Sequence, residues 1–163
     1  MKVMKKQGFT LIELIVVMGV IATLAAFTTT NLLGLQRHTH ISTTLSTILA
    51  DWYGQRSKAM IGDTQGRSTI DSYGIYFQTG QYTLFHGTTY NATATDNVII
   101  PIESPVQVSS TTIPNSTVIF TKGSGEVSGF SSTQNSISFT NSSSNEQVTV
   151  IFNQYGTITS DLP

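Results

Sequence analysis

Cysteine is absent from this chain of 163 residues, and charged residues make up only 10% of it, against roughly 25% in typical soluble domains. Without cysteine the chain has no disulfide, no thiolate metal site and no cysteine nucleophile. With so few charges and a formal net charge of −1, it is not a nucleic-acid binder that works by net positive charge. Serine and threonine supply 45 residues, so hydroxyl and amide groups must make the surface polar. Apolar residues, at 39%, are sufficient to build a core.

The N-terminal segment combines a basic start with a long apolar run. Lys2, Lys5 and Lys6 lie within the first eight residues, and residues 9–27 (FTLIELIVVMGVIATLAAF) carry a single charge, that of Glu13. As a helix this run would be about 28 Å long, close to the roughly 30 Å hydrocarbon core of a bilayer. The lysines predict that the N-terminus stays in the cytoplasm and that the rest of the chain lies outside.

Three interpretations of this segment compete. A secretory signal peptide needs a small-residue cleavage site after its apolar core, and residues 23–26 offer only poor versions of one. A plain membrane anchor explains the length and the lysines but not Glu13. The third interpretation explains every part, since residues 5–14 (KKQGFTLIEL) place a glycine and a phenylalanine after the basic leader and a glutamate four positions further on. This order resembles the N-terminal processing motif of type IV prepilins and pseudopilins.

The resemblance implies a specific processing chemistry. In the family, a membrane aspartyl peptidase, the prepilin peptidase, cleaves after the glycine and methylates the new amine. Carried over, cleavage falls between Gly8 and Phe9, and Phe9 becomes N-methylated. Glycine suits the cleavage site because it resists helix formation and has no side chain there.

Glu13 is an ionisable residue in an apolar helix, which is costly and by default indicates a function. The resemblance supplies a partner, the α-amine of Phe9 on the same chain or on a neighbouring subunit of a filament, so Glu13 would set the axial register of assembly. The simpler alternative is that Glu13 only marks the membrane interface.

The apolar pattern predicts that the helix continues beyond the first run to about Met60. The positions at helical spacing are Ile41, Leu45, Ile48, Leu49, Trp52, Ala59 and Met60, with Leu32, Leu33 and Leu35 continuing the stripe backwards. Gly62 is a credible helix stop. The predicted organisation is a leader peptide at 1–8, a transmembrane and assembly helix at 9–27, its amphipathic continuation at 28–62 and a β-rich globular domain at 63–163.

The remainder of the chain alternates short β-type runs with polar turns, which predicts an α+β fold with eight or nine mostly antiparallel strands. The predicted strands are residues 73–78, 81–85, 98–102, 106–108, 117–121, 126–130, 136–139, 147–152 and 157–159. Thr79-Gly80 and residues 153–156 predict hairpin turns.

A long helix followed by a β domain that ends in a hairpin resembles the H-type pseudopilin of type II secretion and the FimT/FimU-like minor pilins (the GspH/FimT type). Residues 150–158 (VIFNQYGTI) are similar to the family's final hairpin. A major pilin of the disulfide-looped type is disfavoured, because that type carries a C-terminal cysteine pair.

The sequence supports no catalytic, cofactor or metal site, and we expect the protein not to be an enzyme. His38 and His40 are two apart on a predicted helix and point to different faces, and His86 is isolated at a strand end. Residues 122–125 (KGSG) lack the order of a phosphate loop and predict a hairpin turn. Asp63, Gly66 and Asp71 do not match a calcium loop.

The expected function is therefore that of a structural subunit, a minor pilin or pseudopilin, in a type IV pilus or a type II secretion pseudopilus. The alternatives are a major pilin and a surface adhesin anchored by the same helix. The implied partners are the prepilin peptidase/methyltransferase, other pilin or pseudopilin subunits, the inner-membrane assembly platform and the lipid bilayer. DNA is disfavoured, because residues 63–163 carry two positive and seven negative side chains. The chain is expected to be a single-pass cytoplasmic membrane protein before assembly and part of the filament afterwards.

Overall fold

The structure is a computed structural model that describes residues 10–159, with the side chains of residues 27–40 outside the description. The chain divides into two compact units, Met1–His38 and Thr39–Pro163, called here the N-terminal and C-terminal units. Several predictions fall on residues or side chains outside the described part. These are the leader, the cleavage site at Gly8 and Phe9, the helical positions Leu32, Leu33 and Leu35, and the histidines His38 and His40.

Helix α1, Leu11–Ile61, contributes residues to both units. Among residues 11–26 of the N-terminal unit its large apolar side chains are exposed, from 49% for Val17 to 77% for Leu11. In the part of the chain that the structure describes, no helix is both long enough and apolar enough to cross a membrane. The membrane span predicted for residues 9–27 is therefore not confirmed.

The C-terminal end of α1 closes as predicted. Gly62 adopts a left-handed φ of +67°, a conformation that glycine reaches at little cost. Its N–H donates to the Ala59 carbonyl at 3.4 Å, and the Asp63 N–H donates to the Lys58 carbonyl at 3.0 Å. These two bonds form a Schellman cap, which satisfies carbonyls that the helix would otherwise leave unpaired.

Two antiparallel sheets make up the rest of the C-terminal unit, and the predicted α+β class is confirmed. The strands are β1 Tyr73–Gln78, β2 Gln81–His86, β3 Val98–Pro101, β4 Val106–Thr111, β5 Thr117–Phe120, β6 Ser136–Asn141 and β7 Gln147–Ile151. One sheet has the order β3-β2-β1-β5 and the other β4-β6-β7. This architecture is compatible with a pilin-like fold.

The described residues form seven strands, so the predicted count of eight or nine is wrong. Residues 126–130 contribute only the isolated bridge between Phe120 and Val127, and residues 157–159 only the bridge between Phe152 and Ile158. Gly129 follows the first bridge with a φ of +64°, and this left-handed residue turns the chain out of the extended conformation that a strand requires. Both segments lie where a hairpin was predicted, but each pairs too briefly to count as a strand.

The core lies between the helix stripe and the two sheets. The predicted positions Ile41, Leu45, Ile48, Trp52 and Ala59 are all buried, whereas Met60 is 44% exposed. The Trp52 ring packs against Phe120 and Phe152, with ring centroids 5.2 Å and 5.0 Å away. Its indole Nε1 donates to the Gly156 carbonyl at 2.8 Å, so the chain's one tryptophan satisfies its only polar atom inside the core.

Polar side chains also link helix and sheet. Gln55 is 2% exposed and fills the stripe position between Trp52 and Ala59. Its Nε2 donates to the Gly74 carbonyl at 2.9 Å and to the Phe85 carbonyl at 3.2 Å, which ties α1 to the β1–β2 hairpin.

Tyr82 on β2 forms a second link between sheet and helix. Its hydroxyl donates to the Asp51 carboxylate. Burial, together with the neighbouring carboxylate, raises the pKa of Tyr82 well above its usual value. The tyrosine therefore remains the donor in this bond at neutral pH.

Candidate functional site

The described part of α1 begins with a reciprocal hydrogen-bonded pair. Thr10 precedes the first helical residue, and its hydroxyl accepts from the Glu13 backbone N–H at 3.4 Å. In return the Glu13 carboxylate accepts from the Thr10 backbone N–H at 3.4 Å and from its hydroxyl at 3.5 Å. This arrangement is a capping box, which satisfies two of the N–H groups that every helix start leaves unpaired.

Sequence reasoning missed Thr10, although the signal was present. A threonine followed three residues later by a glutamate, just before an apolar run, is typical of a helix start. Glu13 therefore has a local structural role in addition to the one that the resemblance implies. A carboxylate in the first turn also interacts favourably with the positive end of the helix dipole.

The surroundings of Glu13 are apolar. Ile12, Val16 and Val17 lie beside it on the helix surface, and they are 72%, 59% and 49% exposed. Among the described side chains the carboxylate has no ion-pair partner, and both of the hydrogen bonds that it accepts from Thr10 use the same oxygen, Oε2. The other oxygen, Oε1, can therefore accept from a cation without breaking the cap. This is what pairing with an amine on another subunit would require.

The histidine environment differs from the sequence prediction. His86 was expected to be isolated, but its Nδ1 lies 3.0 Å from an Asp71 oxygen, and its Nε2 contacts the Asp96 carboxylate. The partners stand on opposite ring nitrogens, so the three groups cannot face one ion. No cluster of three His, Asp or Glu side chains within the described residues could hold a metal. The cluster joins the segment before β1 to the loop after β2.

The two carboxylates of this cluster have shifted pKa values. Burial raises the pKa of Asp71, but hydrogen bonds from the His86 ring and the Ser72 backbone outweigh burial, and the net pKa lies below its usual value. A hydrogen bond from the same ring lowers the pKa of the exposed Asp96. Both carboxylates are therefore charged throughout the neutral range.

The glycine-rich residues 122–125 form a turn, as predicted. Phe120 and Val127 pair across it, and Gly123 has a φ of +83°. The Gly123 N–H donates to the Ala59 carbonyl at 2.8 Å, so this turn is fastened to the last turns of α1 and its amide is not available to a phosphate group.

Comparison with known proteins gives one match, to the N-terminal region. Residues 3–29 match the family model of the prokaryotic N-terminal methylation motif. No curated protein and no solved structure matches the chain. The matched segment contains Gly8, Phe9 and Glu13, and thus the chain carries the N-terminal signal characteristic of type IV pilin-like proteins.

Proposed function

We propose that this protein is a structural subunit of a type IV pilus or a type II secretion pseudopilus. Prepilin peptidase cleaves it between Gly8 and Phe9 and methylates Phe9, and α1 then joins it to other subunits. The match of residues 3–29 to the N-terminal methylation motif is the observation that carries this proposal. The capped carboxylate of Glu13, whose second oxygen makes no hydrogen bond to the described residues, also supports it.

The exposed apolar surface of the N-terminal unit supports assembly. A helix that is apolar on all sides requires an apolar environment, and exposed apolar surfaces of this extent mark interaction sites in soluble proteins. Before assembly that environment is the lipid bilayer, with the lysine-rich end in the cytoplasm and the C-terminal unit outside. After assembly it is the bundle of helices from neighbouring subunits, which the inner-membrane assembly platform brings together.

Glu13 then sets the register of assembly. An unpaired carboxylate in apolar surroundings is strongly disfavoured, so the free energy of assembly is most favourable when Glu13 pairs with a positive charge. The amine of Phe9 on a neighbouring subunit provides that charge at the matching depth. A subunit displaced by one helical turn leaves the carboxylate without its partner.

We further propose a minor subunit of the H-type or FimT/FimU-like kind, in which the C-terminal unit faces outward or caps the fibre. The order of elements, one long helix followed by two antiparallel sheets, supports this assignment. A major pilin or an anchored adhesin would use the same N-terminal chemistry. Abundance in purified filaments separates the two pilin types, because a major subunit dominates the fibre mass.

We also propose that the chain has no enzymatic activity and no cofactor. Within the described residues no serine or threonine hydroxyl contacts a histidine, and both nitrogens of His86 are occupied by carboxylates. Nor do we expect DNA to bind, because the excess of carboxylates in residues 63–163 repels a polyanion.

The direct test of processing is mass spectrometry of the mature N-terminus. We expect the mature chain to begin at an N-methylated Phe9 in cells that contain prepilin peptidase, and at Met1 in cells that lack it. A chain that still begins at Met1 in the presence of the peptidase, or that begins after Ala25 or Ala26, would refute the proposal.

A further inference from the structure

A groove of about 730 Å³ lies on the outer face of the four-stranded sheet, within the C-terminal unit. Alternate residues of β1 and β5, such as Ile75 and Val118, point into the core. The residues between them form the floor of the groove: Tyr76 on β1, with Thr117 and Ile119 on β5. The groove thus lies on the face of the sheet opposite to the core, and no residue of α1 lines it.

Three separate segments form its walls. They are the loop after β2, the turn before β5, and the segment that follows the bridge at Val127. These segments contribute Tyr90, Asn115, Ser116 and Gln134, among others, to the lining. A volume of this size falls within the range of ligand pockets in proteins, about 300–1,000 Å³.

An aromatic cluster stands at one side of the groove. Tyr90 stacks on Tyr76 with ring centroids 4.2 Å apart and planes 19° apart, and Phe85 meets Tyr90 edge-on at 5.4 Å. Phe85 is only 3% exposed although it lies outside the main core cluster. Its ring covers Gly74, where an added Cβ would lie 2.4 Å from Phe85 Cζ. Because Gly74 has no side chain, the Phe85 ring can lie directly against the backbone of β1 on the outer face of the sheet.

The turn before β5 forms a polar wall of the groove, and its conformation is stabilised by contacts within the protein itself. Asn115 and Ser116 both have a φ of +52°, a costly conformation for residues other than glycine. The Thr117 hydroxyl donates to the Asn115 carbonyl at 2.9 Å and helps to hold this turn. On the opposite side, the contact between His86 and Asp96 fastens the loop that carries Tyr90.

The groove offers hydrogen-bonding groups without charge. None of its 13 lining residues is acidic or basic, although the C-terminal unit carries several carboxylates. The amides of Asn115 and Gln134 and the hydroxyls of Tyr76 and Tyr90 make no hydrogen bond to any residue in the described part of the chain. These groups can donate to and accept from a ligand, and the tyrosine rings provide apolar contact beside them.

From these features we infer that the groove binds a neutral saccharide. A pyranose ring presents apolar C–H groups, which pack on aromatic rings, and hydroxyls around its edge, which pair with amides and hydroxyls. A nucleic acid would require cations for its phosphates, and a purely apolar ligand would leave the polar wall unpaired. The inference goes beyond the proposed filament role and does not depend on it.

Saturation-transfer NMR on the full chain, in a detergent without sugar groups, tests the inference directly. The probes are neutral oligomers of glucose, galactose and N-acetylglucosamine, with sialylated oligosaccharides, hexathymidylate and an uncharged hexapeptide as comparators. At least one neutral oligosaccharide should bind in preference to the comparators. Failure of every neutral probe at about 10 mM, or stronger binding of a comparator, would overturn the inference.

Variants then locate the site. Tyr90→Ala should weaken saccharide binding by about tenfold or more, because stacked aromatic residues dominate the energetics of such contacts. Asn115→Gly keeps the left-handed backbone, removes the amide and should also weaken binding. Tyr155→Ala is the matched control, since Tyr155 is 59% exposed and does not line the groove. Unchanged affinity in Asn115→Gly and in a folded Tyr90→Ala variant would place any binding elsewhere and contradict the inference.

Discussion

Helix α1 behaves differently in the two units of the molecule. In the N-terminal unit Leu11 and Ile12 are 77% and 72% exposed, whereas in the C-terminal unit Ile41 and Trp52 are 0% and 1% exposed. The C-terminal unit buries a core of its own, although some of its large apolar side chains, such as Ile61 at 75% and Ile99 at 60%, are exposed. In the N-terminal unit the large apolar side chains of residues 11–21 are exposed, and the function proposed above assigns their contacts to lipid and to other subunits.

The carboxylates of the two units also differ in the partners that they contact. In the C-terminal unit Asp51 accepts from Tyr82, and Asp71 and Asp96 flank His86. In the N-terminal unit Glu13 bonds only to Thr10 within the described residues. The carboxylates of Asp51, Asp71 and Asp96 therefore stabilise contacts inside the C-terminal unit, whereas the proposed role of Glu13 is to pair with another subunit. The predictions that follow test this contrast, beginning with the largest effect.

The largest effect is expected at Glu13. Glu13→Ala removes both the charge and the cap, whereas Glu13→Gln keeps a side chain that completes the capping box and removes only the charge. We expect both variants to be processed and inserted, yet almost absent from purified filaments when co-expressed with the other subunits. Quantitative immunoblotting of the filament and membrane fractions measures the ratio of the subunit in filaments to the subunit in the membrane.

The control for helix capping is Thr10→Ala, which should cost about 1 kcal/mol in helix stability and leave the charge in place. Normal incorporation of Glu13→Gln would show that Glu13 acts as a cap and not as a charge. That result would remove the register role proposed for this carboxylate.

The second prediction compares apolar side chains in the two units. Trp52→Ala should lower the free energy of unfolding of the C-terminal unit by about 3–5 kcal/mol, because it leaves a cavity in the core and an unpaired Gly156 carbonyl. Leu14→Ala, at a side chain 57% exposed, should change that free energy by less than about 0.5 kcal/mol. Denaturant titration of the full chain in detergent, followed by circular dichroism, measures both. Equal losses would mean that the two parts of the helix share one core.

The third prediction concerns glycine inside the C-terminal unit. At Gly74 an added Cβ would lie 2.4 Å from Phe85 Cζ and 2.8 Å from the Val118 carbonyl oxygen, so Gly74→Ala should destabilise the unit by about 1–3 kcal/mol. At Gly54, in α1, an added Cβ meets nothing within 4 Å. Gly54→Ala should therefore stabilise the helix by about 0.5–1 kcal/mol. A thermal midpoint for Gly74→Ala that is unchanged or raised would show that the close packing over Gly74 is not present.

The smallest expected effect is a pH dependence in the C-terminal unit. Because the folded pKa values of Asp71 and Asp96 lie below their unfolded values, the stability these groups contribute is fully present above the unfolded value of about 3.9. It is lost as the pH falls through the folded values. His86→Gln removes the ring that lowers both pKa values, so its unfolding midpoint should fall less between about pH 5 and pH 3. An identical pH profile in the variant would show that His86 does not contribute to this pH-dependent stability.

Local signals made a large part of the fold predictable. The β1–β2 hairpin around Thr79-Gly80 and the helix stop at Gly62 depend on residues adjacent in sequence, and both agree with the prediction. The burial of Gln55 was not predicted, because only apolar residues were assigned to the stripe. Its spacing from Trp52 and Ala59 nevertheless fits the stripe. Only the backbone carbonyls of a distant hairpin explain why it is buried.

Features assembled from distant segments could not be predicted. His86 meets Asp71 and Asp96 because β2 ends between a loop and the segment before β1, and no spacing rule connects the three. The groove joins residues from 76 to 134 through the pairing of β1 with β5. Thr10 is the opposite case, since its capping signal was entirely local and was not used.

The hydrogen bond from Trp52 to the Gly156 carbonyl joins residues 104 positions apart, and this separation sets an order of events during biosynthesis. Contacts of long sequence separation form late, because the intervening chain must be available before they can close. The helix is synthesised first, but Trp52 can complete its contacts only when Gly156 has emerged. The core around Trp52 can therefore close only after synthesis has passed Gly156, and a chain that stops short of Gly156 leaves the core open.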